Sequence, residues 1–207
     1  LSPARNPQGA WADLEGEKDM FARTERLLLR PGWAEDAPAL HRAICDEGIV
    51  RNLASAPWPY RPEDASAFLA TERAPQEPAM LVFRRTDSAP ELIGSVGFGR
   101  RPDGELEFGY WIARAHWGRG YASEAGRAAI EMARKSLRLT KLNAGHFIDN
   151  PASGRVLQKL GFKPTGRTES RYSAGRNAIA PSKLFEIDLA GTEADLLPEC
   201  ELAMMAA

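Results

Sequence analysis

The sequence predicts one layered α/β (α+β) domain, a mixed and mostly antiparallel sheet of about seven strands with helices on both faces. Three observations predict it. Strand-like alternation and helical periodicity succeed one another in the order strand, two helices, three strands, helix, strand, helix, two strands. The three consecutive strands are separated only by the turn signals Asp87-Ser-Ala-Pro90 and Arg101-Pro-Asp-Gly104, which suit antiparallel hairpins. Finally, the alternating run Glu105-Leu-Glu-Phe-Gly-Tyr-Trp-Ile112 passes through a glycine loop straight into a helix rich in Ala and Glu.

Taken in order, residues 1–23 mix Pro, Gly and charges without a period and read as an arm or tail. Residues 24–31, Thr-Glu-Arg-Leu-Leu-Leu-Arg-Pro, form an apolar run stopped by Pro31-Gly32, hence a first strand. A helix is expected over residues 34–47, with Ala37, Leu40, Ile44 and Cys45 on its apolar side. The aromatic stretch Pro57-Trp-Pro-Tyr60 precedes a second helix that starts near Glu63 and ends before Pro75. Strands follow at residues 79–85, 91–98 and 105–112. In the last of these Leu106, Phe108, Tyr110 and Ile112 share one face.

The central helix covers residues 121–137, and residues 141–148 form the next strand. Asn150-Pro-Ala-Ser153 opens another helix, with Val156, Leu157 and Leu160 on its apolar side and Gly161 as the left-handed residue that ends it. Strands at 162–169 and 182–189 flank a loop at 171–176 and complete a domain over residues 24–190. A weak helix or frayed tail fills residues 191–207.

With 207 residues, 43% hydrophobic and 27% charged, the composition is that of an ordinary globular protein with one core. A net charge of −1 offers no overall attraction to nucleic acid or to an anionic membrane, so neither is an expected partner. No window approaches the roughly 20 apolar residues of a membrane span, and the first residues lack the apolar core of a secretory signal. Cys45 and Cys200 read as free thiols suited to a reducing cytoplasm. His41, His116 and His146 form no zinc pattern, so no metal is expected, and His116 reads as structural or exposed.

The chemistry-bearing stretch is Trp111 to Ala122. A strand, a tight loop with Gly118 and Gly120, and then a helix expose backbone N–H groups at the positive end of a helix dipole. That is a seat for the diphosphate of a nucleotide-like cofactor; taken alone, the same spacing also suits a plain turn. Gly97-Phe-Gly99 is no dinucleotide fingerprint, because a hairpin turn and not a helix follows it, and no P-loop pattern occurs.

Three segments together resemble the GNAT superfamily of acyltransferases, in the branch of the ribosomal-protein N-terminal acetyltransferases (RimJ/RimL-like). They are Gly109-Tyr-Trp-Ile with Trp117-Gly-Arg-Gly-Tyr-Ala-Ser-Glu-Ala125, then Asn150-Pro-Ala-Ser-Gly-Arg-Val-Leu-Gln-Lys-Leu-Gly-Phe162, and the opening strand followed by Glu35-Asp36. The resemblance covers about residues 24–190. It departs at Ala115, where the superfamily carries Gln or Arg, and at Leu157, where many members carry a tyrosine acid.

The resemblance implies a GNAT-like fold with a splayed central parallel pair of strands, and acetyl-CoA as cofactor. It implies direct transfer of the acetyl group to a primary amine, a protein N-terminus or a small molecule, in a ternary complex. The pantetheine arm would pair near Trp111, Ile112 and Ala113. The diphosphate would lie on the amides of Trp117, Gly118, Arg119, Gly120, Tyr121 and Ala122. Ser153 would stand near the CoA sulfur as acid or be a plain first-turn helix residue, Asn150 would be a helix cap or a cofactor contact, and Arg155 and Lys159 either a solvated helix face or ligands of the ribose phosphate. Glu107 is the candidate base at the acceptor site, with a solvent-facing strand carboxylate as its rival reading; Trp58 and Tyr60 would flank that site or form a packed lid. A homodimer is common in the resembled branch. The alternative is an acyl-CoA-binding sensor without turnover, favoured by Ala115 and Leu157; binding without thiol release on any amine is what separates it. A different nucleotide-binding α/β protein would instead prefer ATP or NAD to CoA.

Overall fold

The computed structural model describes residues 21–190. Most of the predicted arm, all of the tail and Cys200 lie outside them. The first described strand, β1 (Ala22–Arg23), turns back on β2 (Leu27–Pro31) through a bend in which the Leu27 amide donates to Thr24 Oγ1 at 3.0 Å. A 3-10 turn (Ala34–Asp36) follows, then helices α1 (Ala37–Ile44), α2 (Glu47–Val50) and α3 (Pro62–Ala70). Strands β3 (Ala79–Arg84), β4 (Glu91–Arg100) and β5 (Leu106–Ile112) form the predicted meander. Helix α4 (Tyr121–Lys135), strand β6 (Lys141–Phe147), helix α5 (Pro151–Lys159) and the hairpin β7 (Lys163–Ser173) and β8 (Ala178–Asp188) complete the fold.

These strands form one eight-stranded sheet in the order β1-β2-β3-β4-β5-β6-β8-β7. Every pair is antiparallel except β5 and β6. That parallel pair is in register only at Glu107 with Asn143 and Phe108 with Ala144, and beyond Phe108 the two strands part. The predicted splay is therefore present.

One face of the sheet is covered by α4 and α5, whose apolar residues Ala125, Ala129, Ile130 and Leu157 pack on Phe108, Ile112 and Leu142. The other face carries Leu81, Phe83, Leu92 and Trp111 beneath α1, α2 and α3. Residues 106, 108, 110 and 112 point to the first face and Trp111 to the second, as strand alternation requires.

Three expectations need correction. The sheet has eight strands instead of about seven, because Ala22–Arg23, assigned to the arm, pairs with Leu28 and Leu29. The single helix expected over 34–47 is broken. Cys45 leaves helical geometry at ψ 68° and Asp46 is extended, and the Asp46 carbonyl then starts α2 by accepting from Ile49 and Val50. Apolar spacing persists across such a break because both pieces face the same core. The closing hairpin is also longer than expected. Its strands run to Ser173 and from Ala178, so the loop at 171–176 shrinks to a turn at residues 174–177 in which Asn177 takes φ 48°.

Candidate active site

A cleft of about 480 Å³ opens where β5 and β6 diverge, between the start of α4 and the start of α5. Its walls follow from strand alternation. The Ala113 amide donates to the Ile93 carbonyl at 2.7 Å, so it points toward β4, and the N–H groups of Ile112 and Tyr110 point the opposite way, into the gap. Across the gap the Ile148 amide donates to Pro181, which turns the Phe147 amide toward β5. The Ile112 carbonyl is already engaged, accepting from the Trp117 indole N–H at 2.6 Å. Phe147's carbonyl accepts from the Asn150 amide and from His146 Nδ1, both at 2.8 Å. Donors for an extended ligand thus come from Tyr110, Ile112 and Phe147.

At one end the glycine loop meets α4. Gly118 and Gly120 take φ 73° and 80°, in the left-handed region that side chains avoid, and Gly120 is the helix N-cap. No side chain caps this helix, so its first amides face the cleft. Fifteen residues of helix stand behind them, which suits a diphosphate. From behind, Arg26 braces the loop: its guanidinium donates to the Arg119 carbonyl at 3.1 Å, pairs with Glu124 at 2.6 Å and stacks over Tyr121 at 4.5 Å. Sequence reading missed Arg26, which lies 93 residues from the carbonyl it holds.

At the start of α5, Asn150 Oδ1 accepts from the Ser153 amide at 3.4 Å, so Asn150 is the helix cap as well as a cleft residue. Ser153 Oγ accepts a hydrogen bond from the Tyr110 hydroxyl at 3.0 Å. Leu157 is 1% exposed and packs in the core while touching the cleft, so its position offers no proton donor.

At the far end stands Glu107. Arg171 grips both its oxygens at 2.6 and 2.7 Å, and Arg101 stands 3.7 Å away. Gly145 leaves room for this pair; a Cβ there would lie 3.0 Å from the Arg171 guanidinium. Glu107 is the one carboxylate among the described residues that line the cleft, and it is neutralised in place. Arg171 was not foreseen: the sequence placed it in a loop, and only the pairing of β8 with β6 in one sheet sets β7 where its arginine can reach Glu107.

Of the residues singled out from sequence, the cleft gathers Glu107, Trp111, Ile112, Trp117, Gly118, Gly120, Tyr121, Ala122, Asn150, Ser153, Arg155 and Lys159. Ala113 and Arg119 adjoin it without lining it. Neither Trp58 nor Tyr60 lines it: Tyr60 is 5% exposed in the second core, stacked on His41, and Trp58 is part-exposed on the surface. The packed-lid alternative describes Tyr60. His116 is buried in the cleft wall, with Nε2 3.2 Å from Glu91 and its ring edge-on to Tyr121. Asp149, between β6 and α5, is held by Arg176 and Arg51, and the Arg176 guanidinium keeps its carboxyl below the ordinary aspartate value. Through it the hairpin turn and α2 are tied to the cleft mouth.

Residues 26–163 match the family of acetyltransferase (GNAT) domains. The chain belongs to the GNAT acetyltransferase family. It is 31% identical over 171 residues to the uncharacterized N-acetyltransferase p20 of Bacillus licheniformis, covering 79% of this chain and 93% of that one. A shorter stretch of 74 residues is 36% identical to the ribosomal-protein-serine acetyltransferase of Escherichia coli, covering 35% of this chain and 41% of that one. Among solved structures, a GNAT-family acetyltransferase from Bacillus anthracis superposes with a TM-score of 0.71 at 23% identity, over 83% of this chain and all of that one, which shows a common fold. As a GNAT member the protein is an N-acetyltransferase that uses acetyl-CoA, and its open helix tip and splayed strands fit that cofactor. Among the described residues no helix is long and apolar enough to cross a membrane, and no acidic, Cys or His cluster suits a metal.

Proposed function

We propose that the protein transfers the acetyl group of acetyl-CoA directly to a single primary amine, in a ternary complex, as a member of the ribosomal-protein N-terminal acetyltransferase branch. The observation that carries this reading is the cleft between the parting β5 and β6, roofed by the uncapped start of α4. The amides of residues 117–122 bind the diphosphate, and Arg155 and Lys159 on α5 reach the ribose phosphate. Ile112 and Phe147 offer peptide donors to the pantetheine arm. The Tyr110 N–H, nearer the Glu107 end, faces the thioester oxygen and stabilises charge that gathers there as the amine adds.

Ser153 faces the sulfur and donates to it as the C–S bond breaks. A thiol of pKa about 8.5 needs only such a modest donor. Direct transfer needs no acyl-enzyme, and Cys45, the one cysteine among the described residues, does not line the cleft. At the acceptor end Glu107 borders the amine, and its bond to Arg171 limits it to a base that must loosen from that partner. An N-terminal amine of pKa about 8 releases its proton to water without such help. The balanced pair offers no surplus negative charge to a polycation. A peptide N-terminus or a monoamine therefore fits this wall better than an aminoglycoside.

The test is a thiol-release assay with acetyl-CoA against N-terminal peptides, monoamines and aminoglycosides. Turnover is expected on the first two groups, and turnover on aminoglycosides alone would reverse the acceptor assignment. Ser153→Ala is expected to lower kcat by about 10- to 100-fold with CoA affinity held within about twofold. An unaltered kcat would remove Ser153 from the site of bond breaking.

A further inference from the structure

We propose that Tyr110 is a positioning residue for the transfer, fixing the Ser153 hydroxyl so that the serine's own proton points at the leaving sulfur. The proposal rests on the cofactor reading above. Its basis is a hydroxyl pair built from elements 43 residues apart: Tyr110 on β5 donates to Ser153 Oγ at 3.0 Å across the floor of the cleft.

A serine hydroxyl has one proton to give. In the first turn of a helix it has a ready local partner, since it can turn and donate to a backbone carbonyl three or four residues back. Ser153 so turned would present only lone pairs to an electron-rich sulfur. A donor seated on Oγ changes this preference, because the oxygen then holds the orientation in which it accepts from Tyr110. The remaining direction for the Ser153 proton is the open side, the cleft.

The tyrosine suits this part for two reasons. Its ring is fixed, 5.7 Å from the Phe108 ring on the same strand face and packed against the main core. Burial pushes its phenol up to about 12, so it stays protonated and remains a donor over the whole working range. The peptide geometry below Ser153 is fixed as well, by Pro151 in the first turn and by the Asn150 cap. As the C–S bond breaks, its electron pair settles on sulfur and Ser153 donates a hydrogen bond to it while keeping its proton. Tyr110 keeps its proton throughout, the amine's proton leaves to water, and the departing thiolate takes one from water on release.

The experiment is a double-mutant cycle in the full chain. Tyr110→Phe keeps the ring and removes only the hydroxyl; kcat is expected to fall by about 5- to 20-fold while KM for acetyl-CoA stays within about twofold. In the Ser153→Ala background the same change is expected to alter kcat by less than about twofold, because Tyr110 acts only through Ser153. 3-Fluorotyrosine at position 110, which keeps a hydroxyl on the ring, is expected to preserve kcat and guards against a packing effect.

A second readout needs no acceptor: the pKa of the thiol of bound CoA, followed by thiolate absorbance. It is expected to rise in Tyr110→Phe and in Ser153→Ala alike. Equal kcat losses in both backgrounds, or an unmoved thiol pKa with CoA still bound, would overturn the role of Tyr110 and leave the cofactor reading standing. Failure of the unaltered protein to bind CoA in calorimetry would overturn both.

Discussion

Gly120→Val is expected to lower CoA affinity by about 100-fold or more, roughly 2.7 kcal/mol. Gly120 sits at φ 80° as the N-cap of α4. A β-branched residue held in that region costs about 1–3 kcal/mol, and the backbone relieves the strain by rotating away. Rotation turns the first amides of α4 off the diphosphate, and the added methyls stand where the phosphates approach. The folded core resists little, because a Cβ at this position meets only the Arg26 guanidinium, at 3.5 Å. The loss therefore falls mainly on binding. Calorimetry with CoA measures it, and Gly99→Ala on β4, where an added Cβ meets nothing within 4 Å, is the control that keeps full affinity. Unchanged affinity in Gly120→Val would move the diphosphate to another seat.

Arg171→Leu is expected to lower stability by about 1–3 kcal/mol, a fall in Tm on the order of 2–10 °C. Glu107 and Arg171 are 18% and 23% exposed, so their pair is shielded well enough to matter and wet enough to stay below the cost of breaking a fully buried pair. Removing the arginine leaves Glu107 beside Arg101 at 3.7 Å, a poorer partner that is also engaged by Glu169 and Asp103. The cleft wall at Glu107 gains a less compensated carboxylate, so on the proposed acceptor assignment KM for the amine is expected to change by about tenfold with CoA affinity unchanged. Thermal unfolding and amine titrations check the two effects separately. Glu107→Gln added to Arg171→Leu is expected to recover part of the stability, since no lone charge then remains. A Tm equal to that of the unaltered protein would mean that Arg101 alone suffices to hold Glu107.

The order of elements was legible because each reports its own burial pattern. Alternation at 105–112 placed Leu106, Phe108, Tyr110 and Ile112 on one face of β5, and the structure sets Phe108 and Ile112 of that face against α4 and Trp111 of the other against α1 to α3. The left-handed position at 161 and the tight loop at 118 and 120 were legible because glycine follows local backbone geometry; that Gly118 and Gly120 are themselves left-handed came from the structure. Less legible were the break between α1 and α2, where both pieces keep one apolar side, and the length of the β7–β8 hairpin. That hairpin is extended by contacts from elsewhere: Ser173 Oγ donates to the Leu53 carbonyl at 2.7 Å, and Arg176 Nε to the Arg51 carbonyl at 2.6 Å.

What the sequence by itself determined is what neighbours in the chain carry: the strand, glycine loop and helix over residues 105–137, and a helix opening at Asn150 with Ser153 in its first turn. The tertiary structure alone decided which side chains meet across the cleft. Arg171 reaches Glu107 over 64 residues, Tyr110 reaches Ser153 over 43, and Arg26 reaches the glycine loop over 93. The reason is physical. Backbone conformation and burial follow from local covalent geometry and the period of apolar residues, whereas a hydrogen bond between distant side chains depends on sheet order and on where two strands part.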